Sequence, residues 1–541
     1  MTWPAGAAES LYRQGSIPLA MMLEVITPAT GEGVAGSVPG WFATSDANLD
    51  SFAHILIRDG YRVNLGSAAV IPVSWQYVEG AWSLFVQIPE GRRQAGRLYG
   101  ALAVKALRRG AMVRLSVGRI GSNRTEYLPL KLGRIYAVRS AGHPRTYRVE
   151  VWDIQTAFRS RMTGTSVATQ QRAKLFYGTA GAQDNLGGAG YSPGAGSVTV
   201  TSSAGTQDRF TFESGAAGAI RITSDSAGDF FLTYTAVNNA TKTISGLSAS
   251  GKFGTTAAEA AAGNSCDAVC LIEGHPIDIL LKILTSTGDG TNGPFDKYPR
   301  SWGLGVPIEL ISEAAFNQAR RILQLSSGNY HWRLLIEQEQ ADPSTFISQI
   351  FNPAGIWLCV RQGQIVCRLA RDMHKAGLQR QPEDLFDGDL LEVPVVHWYP
   401  TDQPQTYFRA LVIDGDGDSF TRSSTSTLPV KEEVSYDLTA VFQSITNRNL
   451  ISTDIANRLG PWAHMLPEYV DVTLRGLRSY APGDVVSFTS SEAFGRLDGT
   501  RDGYRNRPVM VIRSAMDVNS NSTKLTLATL PIDLQEDGGA T

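Results

Sequence analysis

The alternation of hydrophobic and polar residues predicts strands over most of the first 150 residues. Three short runs there are rich in β-branched or aromatic residues and are bounded by turn-forming or charged residues, as in antiparallel sheets. They are AAVIPVSW (68–75), WSLFVQI (82–88) and MVRLSV (112–117). One segment, 96–109, instead spaces its leucines as a helix does and ends in two arginines before a glycine. The pattern therefore predicts an antiparallel β domain interrupted by one helix.

A stretch rich in Gly, Ala, Ser and Thr follows, between residues 161 and 260. Short apolar alternations such as VTVTSS and FFLTYT run through it and predict strands. We expect its aromatic residues to supply one buried face of a sheet, namely Phe210, Phe212, Phe230, Phe231 and Tyr234. This favours a small β domain inserted at about 175–262 over a disordered linker.

Helical spacing returns after the insertion and then gives way to strands. Helices are predicted at 276–284, 307–323 and 343–351, followed by a hairpin at 355–369 whose turn centres on Gly363. Beyond residue 391 the pattern predicts one helix, at 452–459, and strands at 407–413, 469–474, 485–489, 508–514 and 524–530.

The predicted fold class is mainly β with some α, in several domains. Two β-barrel-like domains flank a mixed α/β region, and the small β insertion lies between the first barrel and that region. The predicted boundaries are 1–165, 175–262, 263–390 and 391–541.

Length and composition agree with several ordinary cores. The chain has 541 residues, of which 43% are hydrophobic and 18% charged, and single cores stop growing near roughly 250–300 residues. The 49 basic and 51 acidic residues leave a formal charge of -2, and no basic run predicts sequence-specific nucleic-acid binding. The N-terminal segment does not have the pattern of a signal peptide, and no apolar run is long enough to span a bilayer.

The four cysteines are the first candidates for chemistry. Cys266 and Cys270 are separated by three residues, and Cys359 and Cys367 by seven. Two such pairs could hold zinc or an iron–sulfur cluster, but neither spacing is that of a zinc knuckle. On the predicted hairpin, Cys359 and Cys367 are equidistant from Gly363, so we expect them to face each other on one side of the sheet. Buried thiols and a structural disulfide remain alternatives, and so few cysteines indicate synthesis in a reducing cytoplasm.

Other motifs each lack a required residue. Asp414-Gly-Asp-Gly-Asp418 starts like a calcium loop but lacks the later Gly and Glu, so we interpret it as an acidic hairpin turn. Gly190-Tyr-Ser-Pro-Gly194 spells the serine elbow, yet Pro193 has no N–H for an oxyanion hole. Gly246-Leu-Ser-Ala-Ser-Gly-Lys252 lacks the Ser or Thr of a phosphate-binding loop. The chain is therefore predicted not to be an enzyme.

Three stretches together resemble one family. The first is MVRLSVGRIGSNRTEYLPLKLGRIYAVRSAGHPRTYRVEVWD (112–153), the second is PIDILLKILTSTGDGTNGPFDKYPRSWGLGVPIELI (276–311), and the third is PGDVV (482–486) with RPVMVIRSAMDVNSNSTKLTLATL (507–530). They resemble the central hub proteins at the tail tips, or baseplates, of long-tailed bacteriophages and of related gene-transfer particles. Together they cover roughly a fifth of the chain.

The resemblance implies a structural role in the virion tail. Such hubs are homotrimers whose two barrel-like domains per subunit imitate the sixfold tail tube and join it to a threefold tip. They surround the channel used for DNA ejection and hold the tape-measure protein, with the distal tail protein above and fibres or tip proteins below, where the tip meets the bacterial envelope. Some bind an iron–sulfur cluster through four cysteines. The family has no shared catalytic residues.

Two other functions stay open at this point. The aromatic residues of the 175–262 insertion suggest a carbohydrate-binding or receptor-binding tail protein. Dispersed carboxylate pairs, as in glycoside hydrolases, leave no local pattern, so an envelope-degrading enzyme is the third hypothesis.

Overall fold

The computed structural model describes most of the chain, in segments separated by gaps. The described residues are 19–26, 54–57, 63–72, 74–87, 112–119, 127–141, 146–153, 185–201, 218–238, 240–248, 257–285, 306, 308–327, 330–336, 343–370, 383–398, 407–414, 419–423, 430–438, 441–442, 445–464, 468–493 and 503–530.

The N-terminal region forms an antiparallel sheet of seven strands in the order β2-β1-β7-β8-β9-β6-β3. Alternate residues of these strands, among them Leu23, Leu84, Leu115 and Val149, are buried in one core. The sheet curls enough to bring β2 near β6. The strands of the region are β1 (Leu19–Ile26), β2 (His54–Ile57), β3 (Val63–Asn64), β4 (Ser67–Ile71), β5 (Gln76–Glu79), β6 (Trp82–Gln87), β7 (Met112–Arg119), β8 (Leu128–Ser140) and β9 (Thr146–Asp153).

The small-residue stretch contains short strands around a core of its own. Four of them form a sheet in the order β10-β11-β15-β14, and β12 pairs with both β13 and β16. Phe230 and Tyr234 are buried in this core, as the sequence predicted, and Phe231 is buried as well. The strands are β10 (Asn185–Leu186), β11 (Ser197–Thr201), β12 (Gly218–Ser224), β13 (Gly228–Tyr234), β14 (Ala236–Asn238), β15 (Thr243–Ser245) and β16 (Cys266–Gly274).

The middle of the chain packs helices around a buried hairpin, β18 and β19. Strand β17 continues the sheet of β12 and β16, so the insertion and the middle share one sheet. Three predicted elements are confirmed: the first helix, the third helix and the hairpin. The elements are α1 (Pro276–Thr285), α2 (Glu313–Ser327), β17 (Trp332–Ile336), α3 (Pro343–Phe351), β18 (Ile356–Arg361) and β19 (Gln364–Leu369), with short 3-10 helices at Ile308–Leu310 and Asn352–Ala354.

The second predicted helix begins later than expected. Residues 308–310 form the 3-10 turn and α2 starts at Glu313, because Ser312 donates its N–H to Ile365 of the hairpin rather than into a helix. A tertiary hydrogen bond therefore divides what the apolar spacing shows as one helix. The helix predicted at 96–109 lies outside the described residues.

The C-terminal region adds two further sheets and the longest described helix. Strands β22 to β24 form one sheet, in which β22 runs parallel to β24, and the large sheet has the order β20-β27-β28-β29-β26-β21. The elements are β20 (Glu383–Phe386), β21 (Val395–Trp398), β22 (Tyr407–Asp414), β23 (Ser419–Ser423), β24 (Val430–Leu438), β25 (Val441–Phe442), α4 (Ile445–His464), β26 (Glu468–Arg475), β27 (Val485–Ser490), β28 (Tyr504–Asp517) and β29 (Ser522–Thr529), with a 3-10 helix at Asp387–Asp389.

One segment, 383–398, runs along both edges of this large sheet. Its first part, β20, pairs with β27, whereas Leu390 pairs with Leu474 of β26 and β21 continues along β26. Only three residues lie between Phe386 and Leu390, which limits the distance between their Cα atoms, and so the gap between the edges here, to about 14 Å.

The mainly β character is confirmed, but the expected barrel closure is not observed. Among the described residues, each sheet ends in edge strands and none closes into a barrel. The four-domain division stays a prediction.

The N-terminal and C-terminal regions are joined by backbone pairing. Strand β4 pairs with β28, with Ala68 opposite Ser514, so hairpin β4–β5 extends the C-terminal sheet. Trp75, in the turn of that hairpin, is buried in a large central core with Trp357 of β18 and Trp462 of α4. The two β regions and the mixed middle therefore share one packed centre.

Candidate functional site

The two hairpin cysteines lie on opposite faces of the hairpin. Arg361 pairs with Gln364, so the turn is made of Gln362 and Gly363, both with positive φ, and Cys359 pairs with Val366. Directly paired residues share a face and neighbours along a strand alternate. The prediction that Cys359 and Cys367 face each other is therefore wrong, because the symmetry centre lies between Gln362 and Gly363 rather than on Gly363.

The described cysteine side chains are buried and form no disulfide. This holds for Cys266, Cys359 and Cys367. Burial raises the pKa of the Cys359 thiol to about 12, against the opposing effect of the Arg368 guanidinium. Cys270 lies on β16, and its side chain is outside the described residues. In the part of the chain that the structure describes, no three His, Cys, Asp or Glu side chains group as metal ligands.

The serine-elbow motif does not lie in the surroundings that its chemistry needs. Ser192 is exposed in a turn, where its carbonyl accepts the N–H of Ala195, and the chain then enters strand β11. A nucleophile elbow requires a helix at that point. Gly246 has a φ of 68°, and Ser248 pairs with Thr233 on β13. The rest of that motif lies outside the described residues.

The acidic motif at 414–418 connects two antiparallel strands. Strands β22 and β23 pair with Ile413 opposite Ser419. The prediction of a hairpin turn is confirmed in its position, although residues 415–418 themselves lie outside the described part of the chain.

Most buried charges of the central region form ion pairs between elements. Lys131 of β8 lies 2.7 Å from Glu79 of β5, and Arg368 of β19 pairs with Asp484 just before β27. Arg361 also lies 3.4 Å from Asp484. Such pairs need each partner in place, because a buried charge left alone is costly. Two of these residues, Lys131 and Arg361, line a small cleft between the N-terminal sheet, the hairpin and the C-terminal sheet.

A second buried polar group lies under α4. Arg458 donates to Asp454 at 2.9 Å, and the Tyr330 hydroxyl donates to the same carboxylate at 3.1 Å. Burial raises the pKa of Tyr330 above its usual range, so its proton stays in place at neutral pH. The group links α4 to Tyr330, two residues before β17.

His275 caps the start of α1 from a buried position. Its Nδ1 accepts the N–H of Ile277 at 3.2 Å. Burial lowers the pKa of His275 to about 4, with Asp278 acting in the opposite direction and Arg320 and His331 in the same direction. The imidazole is therefore neutral at physiological pH, as its acceptor role in the cap requires.

The described aromatic residues among those that suggested glycan binding are inside the insertion, whereas Phe210 and Phe212 lie outside the described residues. Phe230 and Tyr234 are buried, and Tyr191 packs on Phe230 with ring centroids 5.4 Å apart. A sugar-stacking surface needs an exposed aromatic face. These described aromatic residues support the core of the insertion instead.

The outward side of the N-terminal sheet carries a group that we call the arginine face (Arg134, Tyr136, Arg139, Arg148 and Trp152). Arg134 lies opposite Trp152 and Arg139 opposite Arg148 across β8 and β9. A bulge at Tyr136 turns its ring onto Trp152, with centroids 3.9 Å apart and planes at 10°. Bulges commonly redirect a side chain in this way. Trp152 is nevertheless 40% exposed.

A second exposed surface lies on the segment along the C-terminal sheet, and we call it the acidic edge (384–395). Four of the seven large hydrophobic side chains that are at least 40% exposed in the described chain fall here, namely Phe386, Leu391, Val393 and Val395. The segment 384–395 also contains four acidic residues and no basic residue. This concentration of exposed apolar side chains in one segment makes the acidic edge a candidate for a protein contact.

Neither surface was predicted from the sequence. The alternation in β9 was visible, but which of its two faces lies inward depends on the partner strands. The acidic run EDLFDGDLLEVPV was visible as well. Its exposure, however, follows from its position at the edges of the sheet.

Two tail proteins of known structure are similar to this chain over nearly its whole length. The tail protein from Neisseria meningitidis MC58 is 9% identical, with 94% of this chain and 96% of that chain covered and a TM-score of 0.35. The 43 kDa tail protein of prophage MuSo2 from Shewanella oneidensis is 8% identical, with 95% and 99% covered and a TM-score of 0.35.

A chain of a native gene transfer agent virion is 11% identical over 65% of this chain and 84% of that chain, with a TM-score of 0.29. At these identities and TM-scores the similarities by themselves establish neither fold nor function. No family model and no curated protein matches the sequence. Within the described residues, no helix combines the length and apolarity needed to cross a membrane.

Proposed function

We propose that this chain is a structural subunit of a bacteriophage tail tip, the hub that joins the tail tube to the tip. The observation that carries the proposal is the pairing of β4 with β28, which ties the N-terminal and C-terminal sheets into one unit. A hub has to transmit its geometry from one β region to the other, and a shared sheet and core do this better than a flexible linker. The resemblance of three sequence stretches to tail-tip hubs agrees with this role.

In the proposed role the chain acts as a homotrimer in the virion. It surrounds the channel of the tape-measure protein and of DNA ejection, contacts the distal tail protein above, and holds fibre or tip proteins below. The near-neutral net charge of the chain and the exposed apolar side chains of the acidic edge suit permanent contacts. The stability of such contacts depends on buried area more than on long-range electrostatic attraction.

Particle structure tests this function directly. The gene is expressed with its neighbouring genes, and the particles are purified and imaged by cryo-microscopy. We expect three copies of this chain as a ring at the distal end of the tail tube. Tails that lack the chain, or a position on the capsid, would contradict the proposal.

A further inference from the structure

The arginine face has more positive charge than folding of the sheet requires. Arg139 and Arg148 lie directly opposite each other, an arrangement of like charges that costs stability. Glu150 lies 3.6 Å from Arg139 and 3.4 Å from Arg148, so a single carboxylate is shared by two guanidinium groups. With 66% of Arg139 and 49% of Arg148 exposed, both can still accept an acidic partner from outside.

The acidic edge has the complementary character. Asp384 and Glu392 are exposed, and Asp389 is already paired with Arg478. Burial acts to raise the pKa of Asp387, but hydrogen bonds from Ser490 and Ser491 more than offset this and leave the pKa lowered. Asp387 is therefore ionised at neutral pH, so negative charge alternates with exposed aliphatic side chains along this edge.

Opposite charges on two surfaces that both carry exposed apolar groups suit a contact between them. Trp, Tyr and Arg are the residues that most often dominate binding energy at protein interfaces, and all three occur on the arginine face. Aliphatic groups such as Val393 and Val395 can pack on the exposed part of Trp152, while the carboxylates of the edge meet Arg139 and Arg148. The arginine face thus offers positive charge and aromatic rings, and the acidic edge offers negative charge and aliphatic side chains.

We propose that the arginine face of one copy of this chain binds the acidic edge of the next copy, head to tail. Because the two surfaces are different, the contact is heterologous, and repeating it builds a ring if the rotation closes. This inference rests on the proposed function in one respect, namely that the subunit works as a ring. Beyond the proposed function, it specifies which two surfaces of the subunit form the contacts of the ring.

Charge-reversal variants of the full chain test the contact. The first carries Arg139→Glu and Arg148→Glu, and the second carries Asp384→Lys and Glu392→Lys. We expect each to be monomeric by mass photometry where the wild type is oligomeric, with self-association weakened at least about tenfold. Arg321→Glu with Lys524→Glu is the matched control, since both residues are exposed and lie outside the two surfaces; it should associate like the wild type.

Mixing the two reversed variants separates a head-to-tail contact from other arrangements. In an equimolar mixture the acidic edge of the first variant meets the arginine face of the second, and the two reversed surfaces are complementary as well. Mixed assemblies in which the two variants alternate should therefore form, although neither variant assembles alone. Combining all four reversals in one chain restores opposite charges across the contact and should recover the wild-type oligomer. Circular dichroism melts verify that every variant is folded, and the milder pair Arg139→Gln and Arg148→Gln serves if a reversal unfolds the chain.

Two outcomes would overturn this inference. One is a wild-type chain that stays monomeric at micromolar concentration, and the other is a pair of folded reversed variants that still assemble. If reversed variants assemble and the chain is nevertheless found at the tail tip, the proposed function stands and the interface is wrong. If reversal breaks the oligomer but the chain is absent from tails, the interface stands and the proposed function is wrong.

Discussion

Trp75 shows at the scale of one residue how the N-terminal hairpin is held in the centre of the molecule. Its φ is 52°, in the left-handed region that side chains rarely adopt. Its indole is fully buried, stacked on Trp357 at 5.1 Å and edge-on to Trp462 at 5.3 Å. The strained backbone is tolerated because three large aromatic surfaces are removed from water together.

Replacing Trp75 with Ala should lower the free energy of unfolding by about 3–5 kcal/mol, since a cavity replaces a buried indole. Ile71→Ala is the control, because Ile71 lies in the same hairpin but is exposed, and it should change stability by no more than about 0.5 kcal/mol. Chemical denaturation of both variants measures the difference. Equal losses would show that the Trp75 contacts do not hold the hairpin.

Because of the buried His275, we expect the free energy of unfolding to decrease as the pH falls. The pKa is about 4 in the folded protein and about 6.5 in the unfolded chain. As pH falls below about 6.5, the unfolded state binds a proton that the folded state does not, so the free energy of unfolding decreases by at most about 1.4 kcal/mol per pH unit. The loss continues until the folded imidazole is protonated near pH 4.

His275→Asn should reduce this acid sensitivity, because an Asn side chain can still accept the Ile277 N–H but does not titrate. Unfolding curves measured between pH 7 and pH 4.5 should therefore diverge, with the wild type losing stability faster than the variant. Parallel curves would assign the acid sensitivity to other groups.

The buried hairpin β18–β19 shows at the scale of an element how one carboxylate can fix two pieces of structure. Asp484 pairs with Arg368 and Arg361 of the hairpin, and its Oδ2 also accepts the N–H of Ala481 at 2.9 Å. The turn glycine, Gly363, approaches Pro129 and Arg114 of the N-terminal sheet closely enough that a Cβ would collide with them. The hairpin is thus held by the C-terminal region and touches the N-terminal one.

Asp484→Ala should destabilise the protein by about 3 kcal/mol, because it leaves the buried Arg368 charge without its carboxylate. Asp471→Ala is the matched control. Its pair with His397 is exposed and should be worth no more than about 1 kcal/mol. Thermal melts of both variants compare them, and a smaller loss for Asp484→Ala than for Asp471→Ala would refute the assigned role.

At the scale of the whole molecule, the pairing of β4 with β28 predicts coupled opening of two regions that are far apart in sequence. Hydrogen exchange in rising denaturant should show the amides of Ser67–Ile71 losing protection together with those of Tyr504–Asp517. Residues 513–515 of β28 pair directly with β4, so we expect the two strands to open in one cooperative step. Early loss at Ser67–Ile71 alone would mean that the hairpin is an independent flap.

Across the whole molecule, some boundaries of strands and helices depend only on local sequence, whereas others depend on tertiary contacts. Many strands with clear alternation, and the helices α1 and α3 that begin with proline, were predicted nearly to their ends, because side-chain period and capping are local properties. The strand predicted at 68–75 is wrong in its second half, since β4 ends at Ile71 and the chain turns there. The α2 boundary was not, since it depends on the hydrogen bond from Ser312 to Ile365. Helix α4 extends well beyond the predicted 452–459, because tertiary packing buries parts of it that lack strong periodicity, such as Ile451 and Trp462.

The sequence by itself determined that this is a mainly β chain with a mixed α/β middle, and it predicted that the core of the insertion is aromatic. It also excluded the serine elbow through Pro193, a covalent property that no fold changes. Only the tertiary structure decided that Cys359 and Cys367 lie on opposite faces, that hairpin β4–β5 belongs to the C-terminal sheet, and that an arginine face and an acidic edge are exposed. The physical reason is that register, strand partners and exposure depend on contacts between residues that are distant in sequence. Side-chain periodicity and backbone chemistry depend only on residues that are close in sequence.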